Sequence, residues 1–224
     1  MGIFTEVLVT RQHDLPFALD IFSVSIGAIF GATLATSRKA PLIGVFIVAI
    51  FMGMGGSILR DILLNAPLNS LVHPQYIISA LVCTVIGAVA GHWLLKPRWL
   101  ILMMDTVVMG LFVVLGTEKA FLFGMPSMSA VFIGMITAIG GGIVSDLLLG
   151  QKPDIMSRGP WNASIALVGA FWFVFIANVG TLQVAEITTI SLCVIIRALV
   201  LWRGWEAPMP EHLTSTEWIK KAIR

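Results

Sequence analysis

Seven long apolar runs, separated by short polar intervals, make up most of this chain. Each is about 20 residues long, the length that carries a helix across a bilayer core. The first extends from Leu15 to Thr36 and stops at Arg38, Lys39 and Pro41. The second starts near Leu42 and runs into Gly53-Met54-Gly55-Gly56, then Arg60-Asp61. The third covers about Tyr76 to Leu95, and the fourth Trp99 to Gly116 with Glu118-Lys119 behind it. The fifth runs from Ser127 through Gly140-Gly141-Gly142 to Asp146, the sixth from Ala163 to Val179, and the seventh from Val184 to Trp202. The pattern predicts an all-α membrane protein with seven transmembrane helices. The first run carries Asp20, is as long as the others and has a counterpart downstream, which separates it from a secretory signal.

The counterpart belongs to an internal repeat. An offset of 85 residues places Asp20 on Asp105, Gly31 on Gly116, Pro41 on Pro126, Gly55-Gly56 on Gly140-Gly141, and Asp61 on Asp146. Apolar coincidences are cheap in such a chain, whereas matched Asp, Gly and Pro positions are not. Each copy holds three spans, an odd number, so the second copy is inverted relative to the first. The predicted organisation is a first three-helix repeat over residues 1–97, a second, inverted repeat over 98–180, a seventh helix over 181–203 and a cytoplasmic tail over 204–224.

Composition agrees with a lipid solvent: 58% of residues are hydrophobic, 12% are charged and the mean hydropathy is +0.96. Soluble domains carry about 25% charged residues. A net charge of +2 offers no footprint for nucleic acid. With the N-terminus outside, ten basic residues fall on the inner side, among them Arg38, Lys39, Lys96, Arg98, Lys152 and Arg158, against Arg11 and Lys119 outside. That bias predicts N-terminus out and C-terminus in. Several tryptophans cluster near span ends, and Glu211 to Arg224 reads as an amphipathic tail resting on headgroups. No metal-ligand spacing and no nucleophile–base pair is visible, so neither an enzyme nor a cofactor is expected.

The candidate chemistry lies in two related motifs. Gly53, Gly55, Gly56 and Ser57 precede Arg60-Asp61, and Gly140, Gly141 and Gly142 precede Ser145-Asp146. Clustered glycines weaken a helix by about 1 kcal/mol each. Freed backbone groups in lipid need partners, so the second and fifth helices are predicted to break at the bilayer centre, facing each other around an ion path. The plainer alternative is that the glycines only let helices pack closely. Asp20, Asp61, Asp105 and Asp146 all lie in or at the edge of spans, where an ionisable group is expensive unless paired or hydrated. Arg60 has Ser145 in its place in the second copy. Asp61 points about 100° away around the helix, so Arg60 is expected to bridge to Asp20, Asp105 or Asp146. Lys119 reads either as an outer-loop charge or, from its alignment inside a span, as a group at membrane depth that gates a pore or contacts lipid headgroups.

Seven spans, an inverted three-plus-three repeat and the paired glycine motifs together resemble the prokaryotic trimeric intracellular cation (TRIC) channel family, over about residues 15–202. The same sequence family carries a bacterial glycine-transporter label. The resemblance implies a homotrimer with one pore per protomer for monovalent cations, K⁺ chiefly or Na⁺. The two motifs, Gly53 to Asp61 and Gly140 to Asp146, would line that pore, with Asp20, Asp105 and Lys119 near it. Animal members carry a Lys-Glu-Val motif linked to phosphoinositides, where this chain has Glu118-Lys119-Ala120. The runner-up is a secondary carrier of a small zwitterion such as glycine, using Arg60 for its carboxylate and Asp61 for its amine.

Overall fold

The computed structural model describes residues 15–94, 98–156 and 161–205. The tail from Glu211, Arg11, Lys96 and Arg158 lie outside them. The described residues form seven long helices: α1 (Leu15–Ser37), α2 (Leu42–Leu63), α3 (Pro74–Leu94), α4 (Arg98–Leu122), α5 (Ser127–Leu148), α6 (Asn162–Val179) and α7 (Leu182–Arg203). A single turn, Asn69–Val72, lies between α2 and α3. All except α4 are long and apolar enough to cross a membrane. Helix α4 spans 25 residues but carries Arg98, Asp105, Glu118 and Lys119. Glu118 is buried, so the helix passes the point where its apolar run was expected to end.

Helix ends match at the 85-residue offset. Lys39 and Gly124 both take positive φ, and the next residue donates back to an alanine carbonyl, Ala40 to Ala35 and Met125 to Ala120. Asn65 and Gly150 also take positive φ, and the N–H groups of Ala66 and Gln151 close on the carbonyls of Asp61 and Asp146. Left-handed closures of this kind satisfy carbonyls that the helix leaves open.

The helices approach through small residues. Val24, Ala28, Ala32 and Ala35 form a fully buried stripe on α1. A Cβ on Gly27 would lie 2.8 Å from the Gly53 Cα, and one on Gly31 2.9 Å from the Ala49 Cα. In the second half, a Cβ on Gly116 would lie 2.9 Å from the Gly134 Cα, and Gly134 is 85 residues beyond Ala49. Helix α3 packs on α1 where Gly87 meets the Ile29 carbonyl, and Thr33 donates to the Gly87 carbonyl at 3.3 Å.

Helices α2 and α5 cross at their glycines. A Cβ on Gly55 would be 3.2 Å from the Gly141 Cα, one on Gly141 2.7 Å from the Met52 carbonyl, and one on Gly56 would strike the Thr137 carbonyl. This corrects the expected breaks: α2 is helical without interruption from Leu42 to Leu63, and α5 from Ser127 to Leu148. The propensity cost of the glycines is met by direct backbone contact between the two helices, in the manner of small-xxx-small interfaces. Gly142 is the exception, because a Cβ there would meet nothing within 4 Å.

Adding a methyl group at Gly56 should therefore cost about 1–3 kcal/mol, and Gly142→Ala should be neutral or slightly stabilising. Thermal unfolding of purified Gly56→Ala and Gly142→Ala in detergent checks this. Equal melting temperatures would show that the crossing is looser than the contacts imply.

Candidate functional site

Charged side chains gather at opposite ends of the bundle, on either side of the glycine crossing. At one end meet Asp20 of α1, Arg60 and Asp61 in the last turn of α2, Tyr76 in the first turn of α3, and Lys119 in the last turn of α4. Arg60 is 2% exposed and Asp61 fully buried. The Arg60 Nε donates to Asp61 Oδ1 at 2.7 Å, and its Nη2 reaches Asp20 Oδ2 at 3.4 Å. Tyr76 donates its hydroxyl to the same Asp20 oxygen at 3.1 Å. Lys119 Nζ donates to Asp61 Oδ1 at 2.7 Å, and the Asn69 N–H to Asp61 Oδ2 at 3.2 Å. Two carboxylates and two cations thus neutralise one another. Ionised groups persist in low dielectric only when paired and hydrogen-bonded in this way.

The other end is built differently. Asp105 lies two turns into α4 and accepts from Arg197 Nη2 of α7 at 3.0 Å. Arg197 is 1% exposed and also donates to the Asn162 side-chain oxygen at the start of α6. Asp146 Oδ2 accepts from the Asp154 N–H at 3.1 Å, the 85-residue counterpart of the Asp61–Asn69 bond. These groups border a cavity of about 230 Å³, which reaches Met52 and Gly141 at the crossing and has Arg38 on its wall. Ser145, at the place of Arg60, is buried and donates to the Val48 carbonyl at 3.3 Å. Ser57 donates within its own helix to the Met54 carbonyl at 2.9 Å.

Several expectations change. Arg60 does reach Asp20, but Asp61, judged poorly placed, is its closest partner at 2.7 Å. The guanidinium is long enough to fold back along the helix end, where no following turn obstructs it. Asp105 and Asp146 are not partners of Arg60; they face the cavity at the far end. Lys119 is no loop charge, since it sits in a helix and is tied to Asp61. Gly140, Gly141, Gly55 and Gly56 meet at the crossing, whereas Gly53 packs on Val24 of α1. Tyr76, Asn162 and Arg197 were not singled out by the sequence reading. A lone arginine inside the seventh apolar run was a signal for Arg197, because an intramembrane charge demands a partner.

Comparison with known proteins fits this geometry. The sequence profile described as glycine transporter matches residues 17–92 and 102–178. The chain belongs to that family. The two matched stretches start 85 residues apart, the offset that aligns the aspartates and glycines. A relative within reach is the UPF0126 inner membrane protein YadS of Escherichia coli K12, 31% identical over 157 residues, covering 69% of this chain and 75% of YadS. The UPF0126 membrane protein YvgT of Bacillus subtilis is 29% identical over 154 residues, or 67% of this chain and 76% of YvgT. Among solved structures, the TRIC trimeric intracellular cation channel orthologue of Rhodobacter sphaeroides superposes with a TM-score of 0.78 at 29% identity, covering 85% of this chain and 99% of that one. A second, from a study of conductance through TRIC cation channels, gives 0.78 at 26% identity over 86% of this chain and 95% of that one. The resemblance to prokaryotic TRIC channels therefore holds in three dimensions, and the family member described here is an integral membrane protein.

The two ends differ in how much each carboxylate holds. Asp61→Asn strips the partner from two cations and should cost about 3–5 kcal/mol. Asp146→Asn alters one bond to a backbone N–H and should cost about 1 kcal/mol. Side-by-side thermal unfolding of the two variants tests the ranking, and a larger loss for Asp146→Asn would overturn it.

Proposed function

We propose that this chain is a monovalent cation channel, chiefly for K⁺, with one pore in each protomer of a homotrimer. The observation that carries the reading is the cavity between Asp105 and Asp146, which extends to the glycine crossing of α2 and α5, with the Arg60–Asp61–Lys119 cluster at the opposite end of the bundle. Its neighbours in fold are cation channels at 26–29% identity. An ion would enter the carboxylate-lined cavity, pass beside the α2–α5 crossing on the side where Gly142 leaves open space, and leave past the charged cluster. The two halves act as inverted copies around the crossing, with the cavity end facing the cytoplasm and the N-terminus outside. This assigns the basic residues Arg38 and Lys152 to the inner side, as the positive-inside bias requires.

Lys119 is the movable part of the outer cluster. Its side chain is 17% exposed and is tied by one ion pair, whereas Arg60 is 2% exposed and held by two. The same contacts weigh against a glycine carrier built on Arg60: a substrate carboxylate would have to compete with Asp20 and Asp61, which already pair with that guanidinium. No step of the proposed activity is enzymatic.

Single-channel recording of purified protein in planar bilayers under a K⁺ gradient decides between channel and carrier, since resolved unitary currents exceed what a carrier turns over. Mass measurement in detergent should give three copies of the 24.2 kDa chain. In liposomes at equal incorporation, Lys119→Met should raise K⁺ flux several-fold by leaving Asp61 a charge to offer the ion. Arg60→Ser should raise flux too, but with a lower melting temperature. Equal or lower flux in both assembled variants would show that the cluster is a structural strut and not a barrier.

A further inference from the structure

We infer that Arg197 of α7 sets the electrostatic potential of the cavity and hence cation entry from that end, which makes the seventh helix part of the permeation path. The second half has no cation of its own at the place of Arg60: Ser145 stands there and turns its hydroxyl to the Val48 carbonyl. The counterpart of Asp20 is Asp105, and its cation arrives from outside the repeat, as Arg197. Asn162, at the start of α6, accepts a hydrogen bond from that guanidinium through its side-chain oxygen and holds it in place.

The two aspartate–arginine pairs are unequal in one respect that matters for an ion. The Asp20 side chain is 8% exposed, whereas the Asp105 side chain is 26% exposed and lies on the cavity wall. The first pair is sealed among helices, whereas in the second the carboxylate opens onto the cavity. Among the described residues, the charges on the cavity wall are Asp105, Asp146 and Asp154 against Arg38 and Arg197, one negative in excess. Removing the Arg197 charge doubles that excess within a space a few ångströms across. Coulomb attraction at such distances changes local cation concentration by about three- to tenfold, even with water present.

A reporter inside the cavity reads this potential without any ion flux. Gly142 lines the cavity and has open space where a Cβ would go, so Gly142→Cys places a thiol there, in a background with Cys83 and Cys193 replaced by alanine. The ratio of labelling rates for a cationic and an anionic methanethiosulfonate measures the local potential. Adding Arg197→Gln should raise that ratio about three- to tenfold, and Asp105→Asn should lower it. Arg197→Lys should keep it near the parent value, and the Asp105→Asn, Arg197→Gln double variant should return it there. A ratio unmoved by Arg197→Gln in folded protein, or a Gly142→Cys thiol that neither reagent reaches, overturns the inference. The link to permeation rests on the channel reading, and is tested apart from it. If the ratio shifts and K⁺ flux at low salt does not follow, the channel reading fails while the assignment of Arg197 to the cavity stands.

Discussion

The crossing of α2 and α5 on bare backbone is the constraint on which the rest depends. Two helices in lipid gain little from burying apolar side chains against each other, because lipid is as apolar as they are. What they gain is dispersion at close range, and glycine permits the closest range. Gly55 against Gly141 and Gly56 against Thr137 bring backbone directly onto backbone, with the Leu59 side chain packed on Gly140 beside them. That fixes α2 and α5 in the middle of the bundle. Helices α1 and α4 then dock on their flanks through further small residues, Gly27 and Gly31 in one half and Gly116 in the other. The charged ends follow from this placement, because Arg60-Asp61 and Ser145-Asp146 lie about one turn beyond the glycines along each helix.

Burial of charge explains the asymmetry between the ends. Where Arg60 is present, it draws Asp20, Asp61 and the Tyr76 hydroxyl into a dry cluster that needs Lys119 to reach neutrality. Where serine replaces it, the aspartates keep contact with a cavity, and a distant helix supplies the balancing cation. One repeat answers the problem of a buried carboxylate by pairing inside the bundle, and the other by pairing across to α7 at the wall of a cavity.

Much of this was legible in the chain. Six of the seven expected spans, the 85-residue offset and the special status of the glycines follow from hydropathy and residue type, and the positive-φ helix ends at Lys39, Asn65, Gly124 and Gly150 repeat that offset in three dimensions. The meaning of the glycines was not fully legible. A run such as Gly140-Gly141-Gly142 weakens a helix in isolation, but whether the chain breaks or packs depends on what lies opposite, and that partner is almost a hundred residues away in sequence. The pairing at Arg60 was missed for a similar reason: angular position around a helix says where a Cβ points, not where a long guanidinium ends once the helix stops. Arg197 was passed over because it belongs to neither copy of the repeat.

A crossing seated on glycine backbone leaves little side chain to swing. It is therefore a fixed contact, and any rearrangement of the molecule has to act elsewhere, either through the side chains at the two ends or through whole helices sliding on one another. Those alternatives run on different clocks, since side-chain rearrangements complete in nanoseconds and helix shifts take microseconds to milliseconds. Motion on either clock thus starts from the ends of the helices, and the glycine contact in the middle contributes shape.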